Sequence, residues 1–332
     1  GLSGLIDEAI GEGWTTDLDQ LQRLRPLAGD SAFRERFGAI KRRNKETFAG
    51  WLAATHGIRL DPAFLFDCQV KRMHEYKRQL LNVLHAIALY HRIRDGAWDG
   101  VPRAVLIGGK AAPGYRMAKL IIKLVGSLSG LVNGDPATRG RLCVHFLPNY
   151  SVSMAELIFP ACELSQQIST AGTEASGTGN MKAALNGALT MGTLDGANVE
   201  IREEVGADNI FIFGNTAEQI TELRRSGYHP SGYIAGNPEL KRAVETIQHL
   251  DPDLFDPVVR ALTERDHYFH CADFASYCSW QRRAESVWQQ PEEWNRIAVL
   301  NVAGMGKFSI DRTVREYAQS IWEATPVPVP AR

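Results

Sequence analysis

Nine residues, Val70-Lys71-Arg72-Met73-His74-Glu75-Tyr76-Lys77-Arg78, hold four cations and a histidine in one short run. Charge that dense suits an anion, a phosphate above all. The run leaves a strand-like segment and enters a helical pattern. Cations are mildly unfavourable at a helix N-terminus, whose dipole is already positive, and an anion between dipole and side chains relieves the conflict. The competing reading is a solvated basic helix face. A second run, Ser169-Thr170-Ala171-Gly172-Thr173-Glu174-Ala175-Ser176-Gly177-Thr178-Gly179-Asn180-Met181-Lys182, is built from small residues, with a helix expected over Met181 to Leu189. Its glycines let backbone N–H groups close on an anion. It matches no Walker A loop, and Gly177-Thr178-Gly179 lacks the third glycine of a dinucleotide fingerprint. Lys182, on the first helical turn beside backbone dipoles and other cations, is expected to have its charged form disfavoured. A lysine amine in that state is a nucleophile able to form a Schiff base; the alternative is an ordinary solvated lysine.

Two further segments border this chemistry. Gly192-Thr193-Leu194-Asp195-Gly196-Ala197-Asn198-Val199-Glu200 reads as ligand-facing groups or, the favoured reading, as a tight turn with an Asx hydrogen bond. Ile107-Gly108-Gly109-Lys110-Ala111-Ala112-Pro113-Gly114 reads as a close backbone approach at a strand end, made for structure or for a ligand.

The elements that must position these groups follow from periodicity. Thr16 is expected to cap a short helix through Leu24, and Ser31 a longer one ending near Gly57, with Phe33, Phe37, Ile40, Phe48 and Leu52 on its apolar face. Strands are expected at 64–70, 103–108 and 142–147, and another at 209–213. Between them fall an amphipathic helix from His74 to Arg94 and helices over Tyr115 to Leu131 and Ser153 to Phe159. Strands alternating with helices specify βαβ units, and near-continuous apolar strands a sheet covered on both faces. The expected class is α/β, a doubly wound parallel sheet with helical additions at both ends. The expected division is a helical segment over 1–63, the sheet domain with its C-terminal helices over 64–322, and a Pro-rich extended tail over 323–332. Ligands in such sheets bind at the carboxyl ends of the strands, where both unusual runs fall.

Composition narrows the functional classes. The 332 residues carry 37 basic and 38 acidic side chains, a formal net charge of −1, so no net field draws nucleic acid or anionic lipid. At 44% hydrophobic residues the chain has enough apolar surface for a core. The longest apolar stretch, Leu120 to Val132, is interrupted by Lys123, Gly126 and Ser127 and is too short for a membrane span. The five cysteines form no C-x-x-C pair and are expected to be reduced and mostly buried, as in a cytoplasmic protein. No metal site is expected. The chain opens on Gly1 without a signal-peptide pattern and without Met, which suggests a fragment of a longer protein.

Taken together the motifs become specific. The run Gln69 to Asn82, the segment Ile107 to Tyr115, Glu174-Ala175-Ser176-Gly177-Thr178-Gly179-Asn180-Met181-Lys182, Asn186 to Leu189, Gly192 to Glu200 and Gly306-Lys307-Phe308-Ser309 closely resemble signatures of the glycogen, starch and maltodextrin phosphorylases. The resemblance extends from Gly1 to about Trp322. It implies the Rossmann-like C-terminal half of a two-domain GT-B glycosyltransferase, whose full-length form is a homodimer and whose last helix crosses back to the absent N-terminal domain. It implies phosphorolysis of terminal α-1,4 bonds of a glucan by inorganic phosphate, giving glucose 1-phosphate. It implies pyridoxal 5'-phosphate carried on Lys182, its phosphate met by Lys71 and Lys77 and by backbone at Thr178 and Gly179. Arg72 with Lys77 resembles the clamp on substrate phosphate. Glu174, Ser176 and Gly177 resemble ligands of the transferred glucose, and Tyr150 and Tyr76 residues lining the two sites. One departure is Ser151, which stands where animal members carry an arginine to the cofactor phosphate; the change fits a bacterial-type member. Two other classes remain to be separated: a nucleotide-sugar glycosyltransferase half, and a non-enzymatic α/β module.

Overall fold

The computed structural model describes residues 1–325 and Val327. The Pro-rich tail expected over 323–332 falls largely outside the described residues. Six parallel strands form one sheet: β1 (Leu65–Val70), β2 (Arg103–Gly108), β3 (Leu142–Leu147), β4 (Leu164–Gln167), β5 (Leu189–Gly192) and β6 (Phe211–Ile212), in the order β3-β2-β1-β4-β5-β6. The chain winds outward from β1 to one edge, then returns to start β4 on the other side of β1. The strand order therefore reverses between β1 and β4, the place where such sheets open a crevice. β1 and β2 are buried along nearly their whole length. The doubly wound parallel sheet is thus as the sequence specifies.

Two strands escape the periodicity. β4 reads Leu-Ser-Gln-Gln, and β5 lies where the sequence suggests the end of a helix. The helix expected over Met181 to Leu189 instead spans Gly179–Leu185. It ends at Asn186 and at Gly187, whose φ of +77° only glycine adopts readily, and the chain then drops into β5. β4 tolerates its polar residues because they are paired: Gln166, fully buried, donates to Asp67 at 2.6 Å and accepts from Tyr277 at 2.9 Å.

The helices show similar corrections. Asp30, not Ser31, caps the Ser31–His56 helix by accepting from Phe33 N–H, and Gly57 closes it at φ +68°. The Thr16 cap is absent: that region is two 3-10 turns, Glu12–Thr15 and Leu18–Leu24, and the Thr16 hydroxyl donates to Gly13 O. The helix expected from His74 begins only at Gln79, because Arg78 sits at φ +54° after a 3-10 turn over Glu75–Lys77. Nor is it amphipathic, since all of its residues except His91, Arg92 and Arg94 are buried. The Arg116–Gly134 helix is long and apolar enough to cross a bilayer. Here, however, Ala118, Ile121, Leu124, Val125, Leu128 and Val132 line up as a face buried in the core. Of the cysteines, Cys143 is half-buried and the other four are buried, all with free thiols. The Ile310–Ser320 helix buries nothing, and Ile310, Val314 and Tyr317 are exposed along it.

Candidate active site at the switch point of the sheet

A cavity of about 750 Å³ opens where β1 and β4 end. All eleven residues singled out in the sequence border it: Lys71, Arg72, Tyr76, Lys77, Tyr150, Glu174, Ser176, Gly177, Thr178, Gly179 and Lys182. The placement follows from the topology. Lys71 is the first residue past β1, and its N–H continues the ladder to Gly108 O at 3.0 Å. The glycine-rich run begins just past β4, so the switch point brings the two runs face to face.

The loop after β2 fixes the start of the basic run. Met73 N–H donates to Lys110 O, and Gly109 packs so tightly that a Cβ there would lie 1.9 Å from Lys71 O. Of the two readings of Ile107 to Gly114 the structural one holds, since the close approach is to the protein's own backbone. Of the four cations, Arg78 is not a site residue. It is fully buried, paired with Asp273 at 2.6 Å and donating to Ile168 O at 2.7 Å. Of the four cations in the run, three border the cavity and the fourth is spent inside the fold.

The remaining charges are unequally satisfied. Lys71 Nζ donates to Gln167 Oε1 at 2.7 Å. Burial, then the nearby Lys77 charge, pull its pKa down to about 7, against a smaller opposing pull from Glu174. Lys77 Nζ pairs with Glu174 Oε2 at 2.5 Å and stands 4.6 Å from the centre of the Tyr76 ring. Burial lowers Lys77, but its hydrogen bonds to Glu174 and Tyr76 outweigh that and leave it raised. Arg72 and Lys182 are exposed toward the cavity, and their side chains make no hydrogen bond to the described residues. A depressed amine of this site is therefore Lys71.

Behind the glycine-rich loop stands the turn after β5. The Asp195 carboxylate accepts the N–H groups of Gly172 at 3.0 Å, Thr173 at 3.2 Å and Glu174 at 2.8 Å. A turn over Gly192 to Glu200 is present, but in place of the expected local Asx hydrogen bond the Asp195 carboxylate carries this tether. The N–H groups of Gly172 to Glu174, which the sequence offers to a bound phosphate, are already spent on the protein's own anion; Thr178 and Gly179 still border the cavity. Ser151 accepts from Met154 N–H and caps the Val152–Ala161 helix at the cavity wall, while burial pushes the neighbouring Tyr150 phenol up. Sequence patterns gave no sign of Gln167, which lies in an unrecognised strand; Asp195 falls in a segment the sequence did single out, but without a role of its own.

Comparison with known proteins narrows the family. The profile of the family described as carbohydrate phosphorylase matches residues 1–324. The chain is 52% identical to the brain form of glycogen phosphorylase from Bos taurus, over 98% of this chain and 39% of that protein. Identity is 49% to the glycogen phosphorylase of Chlamydia trachomatis serovar D, over 98% and 40%, and 48% to the human liver form, over 98% and 39%. The chain thus spans about 39% of the length of these curated relatives. With its parallel sheet, its switch-point cavity and this match, the chain belongs to the carbohydrate phosphorylase family.

Proposed function

We propose that this chain is the cofactor-carrying C-terminal half of an α-1,4-glucan phosphorylase, which cleaves terminal α-1,4 bonds of glycogen or maltodextrin with inorganic phosphate to release glucose 1-phosphate. The observation that carries the reading is a cavity in which Lys71, Arg72 and Lys77 converge beside the Lys182 amine, which has no partner among the described residues.

The residues fit pyridoxal phosphate. Lys182 offers an amine with no partner among the described residues at the cavity wall, and Lys71 is a desolvated amine with one partner, whose charged form an anion would favour. When bound, the cofactor supplies a phosphate group able to exchange a proton with the substrate phosphate. Two phosphates in one site repel strongly, and the charges of Lys71, Arg72 and Lys77 offset that repulsion in a water-poor setting where each counts for more. Lys77 can shift between its Glu174 partner and an arriving anion without losing a counter-charge. Glu174 and Tyr76 then remain as hydrogen-bonding groups for sugar hydroxyls, with the Tyr76 phenol 3.5 Å from Glu174 Oε1. Water would compete with phosphate as acceptor, so the cavity must be closed over. The exposed apolar side chains of Ile310, Val314, Tyr317, Ile321 and Trp322 support a second domain that packs on this one.

The test is borohydride treatment of the cofactor-loaded protein, followed by intact mass and location of the modified residue. A phosphopyridoxyl group on Lys182 supports the reading. A protein that takes up no cofactor but binds a sugar nucleotide would replace it with a nucleotide-sugar transferase.

A further inference from the structure

Gly172, Ala175, Ser176 and Thr178 are exposed, so apolar packing does little to fix the glycine-rich loop. Hydrogen bonds must hold it instead. Its first half is held by the three N–H donors that converge on the Asp195 carboxylate, a nest of successive amides closed on an internal anion. Its second half is held from the same turn, where Ala197 N–H donates to Ser176 O at 3.0 Å. Glu174 is the last of the three donors, two residues before the second attachment. Gly196 makes the fit possible: at φ +51° a Cβ would lie 2.7 Å from Ser176 O and 3.1 Å from Glu174 O. The turn is itself anchored to the end of β4. Thr193 Oγ1 donates to Ser169 O at 2.7 Å, and Asn198 Nδ2 to Gln167 O at 3.1 Å.

We infer that Asp195 is a positioning residue: as the built-in anion of the glycine-rich loop it fixes, through the backbone, where the Glu174 carboxylate stands to receive the sugar. This rests on the reading of Glu174 as a ligand of the transferred glucose. The geometry explains why a carboxylate is needed. Its two oxygens take three N–H groups, one on Oδ1 and two on Oδ2. An asparagine offers one carbonyl oxygen and turns its own N–H₂ toward a backbone donor. On the other side, Lys77, Tyr76 and Ser169 contact the Glu174 side chain but leave its main chain free. Asp195 alone ties the Glu174 amide to the turn.

The experiment uses the full-length protein loaded with pyridoxal phosphate, with α-D-glucose 1-phosphate as the probe in calorimetry. Asp195→Asn should weaken its binding about tenfold, as expected for a ligand group displaced by a fraction of an ångström, while cofactor content stays at the wild-type level. Asp195→Ser, which removes both oxygens without adding bulk, serves as a second variant should the first fold poorly. In a Glu174→Ala background the Asp195 change should add less than twofold, because the group it positions is gone. Hydrogen exchange at the amides of residues 172 to 174 should speed up in both Asp195 variants. Wild-type affinity in both variants, or a full tenfold loss still added on top of Glu174→Ala, would overturn the inference. A wild-type protein that binds no glucose 1-phosphate would instead overturn the phosphorylase reading, and this role with it.

Discussion

The same two strands carry a lysine pair at each end. At the amino ends of β1 and β4, Lys41 and Lys45 reach in from the Ser31–His56 helix; at the carboxyl ends stand Lys71 and Lys77. Both pairs contain an amine pushed down by burial, Lys41 to about 8 and Lys71 to about 7. They differ in what is left over. Lys41 spends its three N–H bonds on Pro160 O, Cys162 O and Asn186 O, at 2.7, 2.7 and 2.8 Å. Lys45 is held by Phe64 O and Glu163, each at 2.7 Å. That end also borders a cavity, of about 570 Å³, but its lysines are committed to clamping the helix onto the base of the sheet. At the other end Lys71 has one partner, and Lys182 and Arg72 have none among the described residues. A depressed lysine pKa therefore does not by itself mark a site; unspent donors facing a cavity do.

The sharpest way to break this contrast is chemical. Cofactor trapped by borohydride should appear on Lys182 in stoichiometric amount and on neither Lys41 nor Lys45, although Lys41 is the more buried amine. Peptide mapping settles it, and label at Lys41, Lys110 or Lys123 would show that open donors do not direct the cofactor. Lys182→Ala should leave no covalent label at all.

Stability should separate the two ends next. Lys45→Met strands Glu163 as a buried unpaired carboxylate, with its Oε2 still bound to Phe66 N–H, and should cost about 3–5 kcal/mol in denaturant unfolding. Adding Glu163→Leu should recover much of that loss, because an apolar pair avoids the desolvation cost. Lys71→Met strands only the Gln167 oxygen and should leave stability within about 1 kcal/mol of wild type. Equal losses at Lys45 and Lys71 would erase the distinction.

Arg72→Ala tests the open end by function. Its side chain makes no hydrogen bond or ion pair with the described residues and is exposed, so unfolding should be unchanged. Phosphorolysis by the full-length enzyme should nevertheless fall by about two powers of ten, since charge stabilisation of the paired phosphates is lost. Near-normal turnover would remove Arg72 from the phosphate clamp.

What was legible in the sequence tracks how local each signal is. β1, β2 and β3 are apolar runs flanked by helices, and the basic run and glycine-rich loop are contiguous, so pattern alone located the site. β4 and β5 were invisible because they are four residues long, and three of the four residues of β4 are polar; its glutamines find Asp67, Tyr277 and Lys71 on distant segments, besides Ser165 within the strand. Lys41 and Lys45 interrupt an apolar helix face for the same reason, their acceptors lying more than a hundred residues away except for Phe64. Arg78 was counted among the four cations of the basic run, since nothing in its neighbourhood announces its buried partner Asp273. Periodicity reports local order, while the partner of a buried charge is a property of topology.

The smallest effect concerns the proton on Lys71. With a pKa of about 7, about half of the molecules carry it neutral at pH 7. An anion placed beside it favours the charged form, so binding must take up part of a proton, more at pH 8 than at pH 7 and almost none at pH 5. Sulfate is the clean probe, because its own charge is constant over this range whereas that of phosphate is not. Calorimetry in buffers of different ionisation enthalpy should read the uptake directly, and sulfate affinity should fall as pH rises above 7. The linkage also fixes the sign for folding. The folded-state pKa is depressed, so between about 7 and 10.5 the unfolded chain binds more protons at this residue, and its contribution makes stability rise with pH. Sulfate should flatten that contribution by restoring the charge. Lys71→Met should abolish the uptake, while Lys41→Met should leave it intact, because the three Lys41 donors are already spent on backbone carbonyls. Uptake that persists without Lys71 would move the unspent charge of this site to another group.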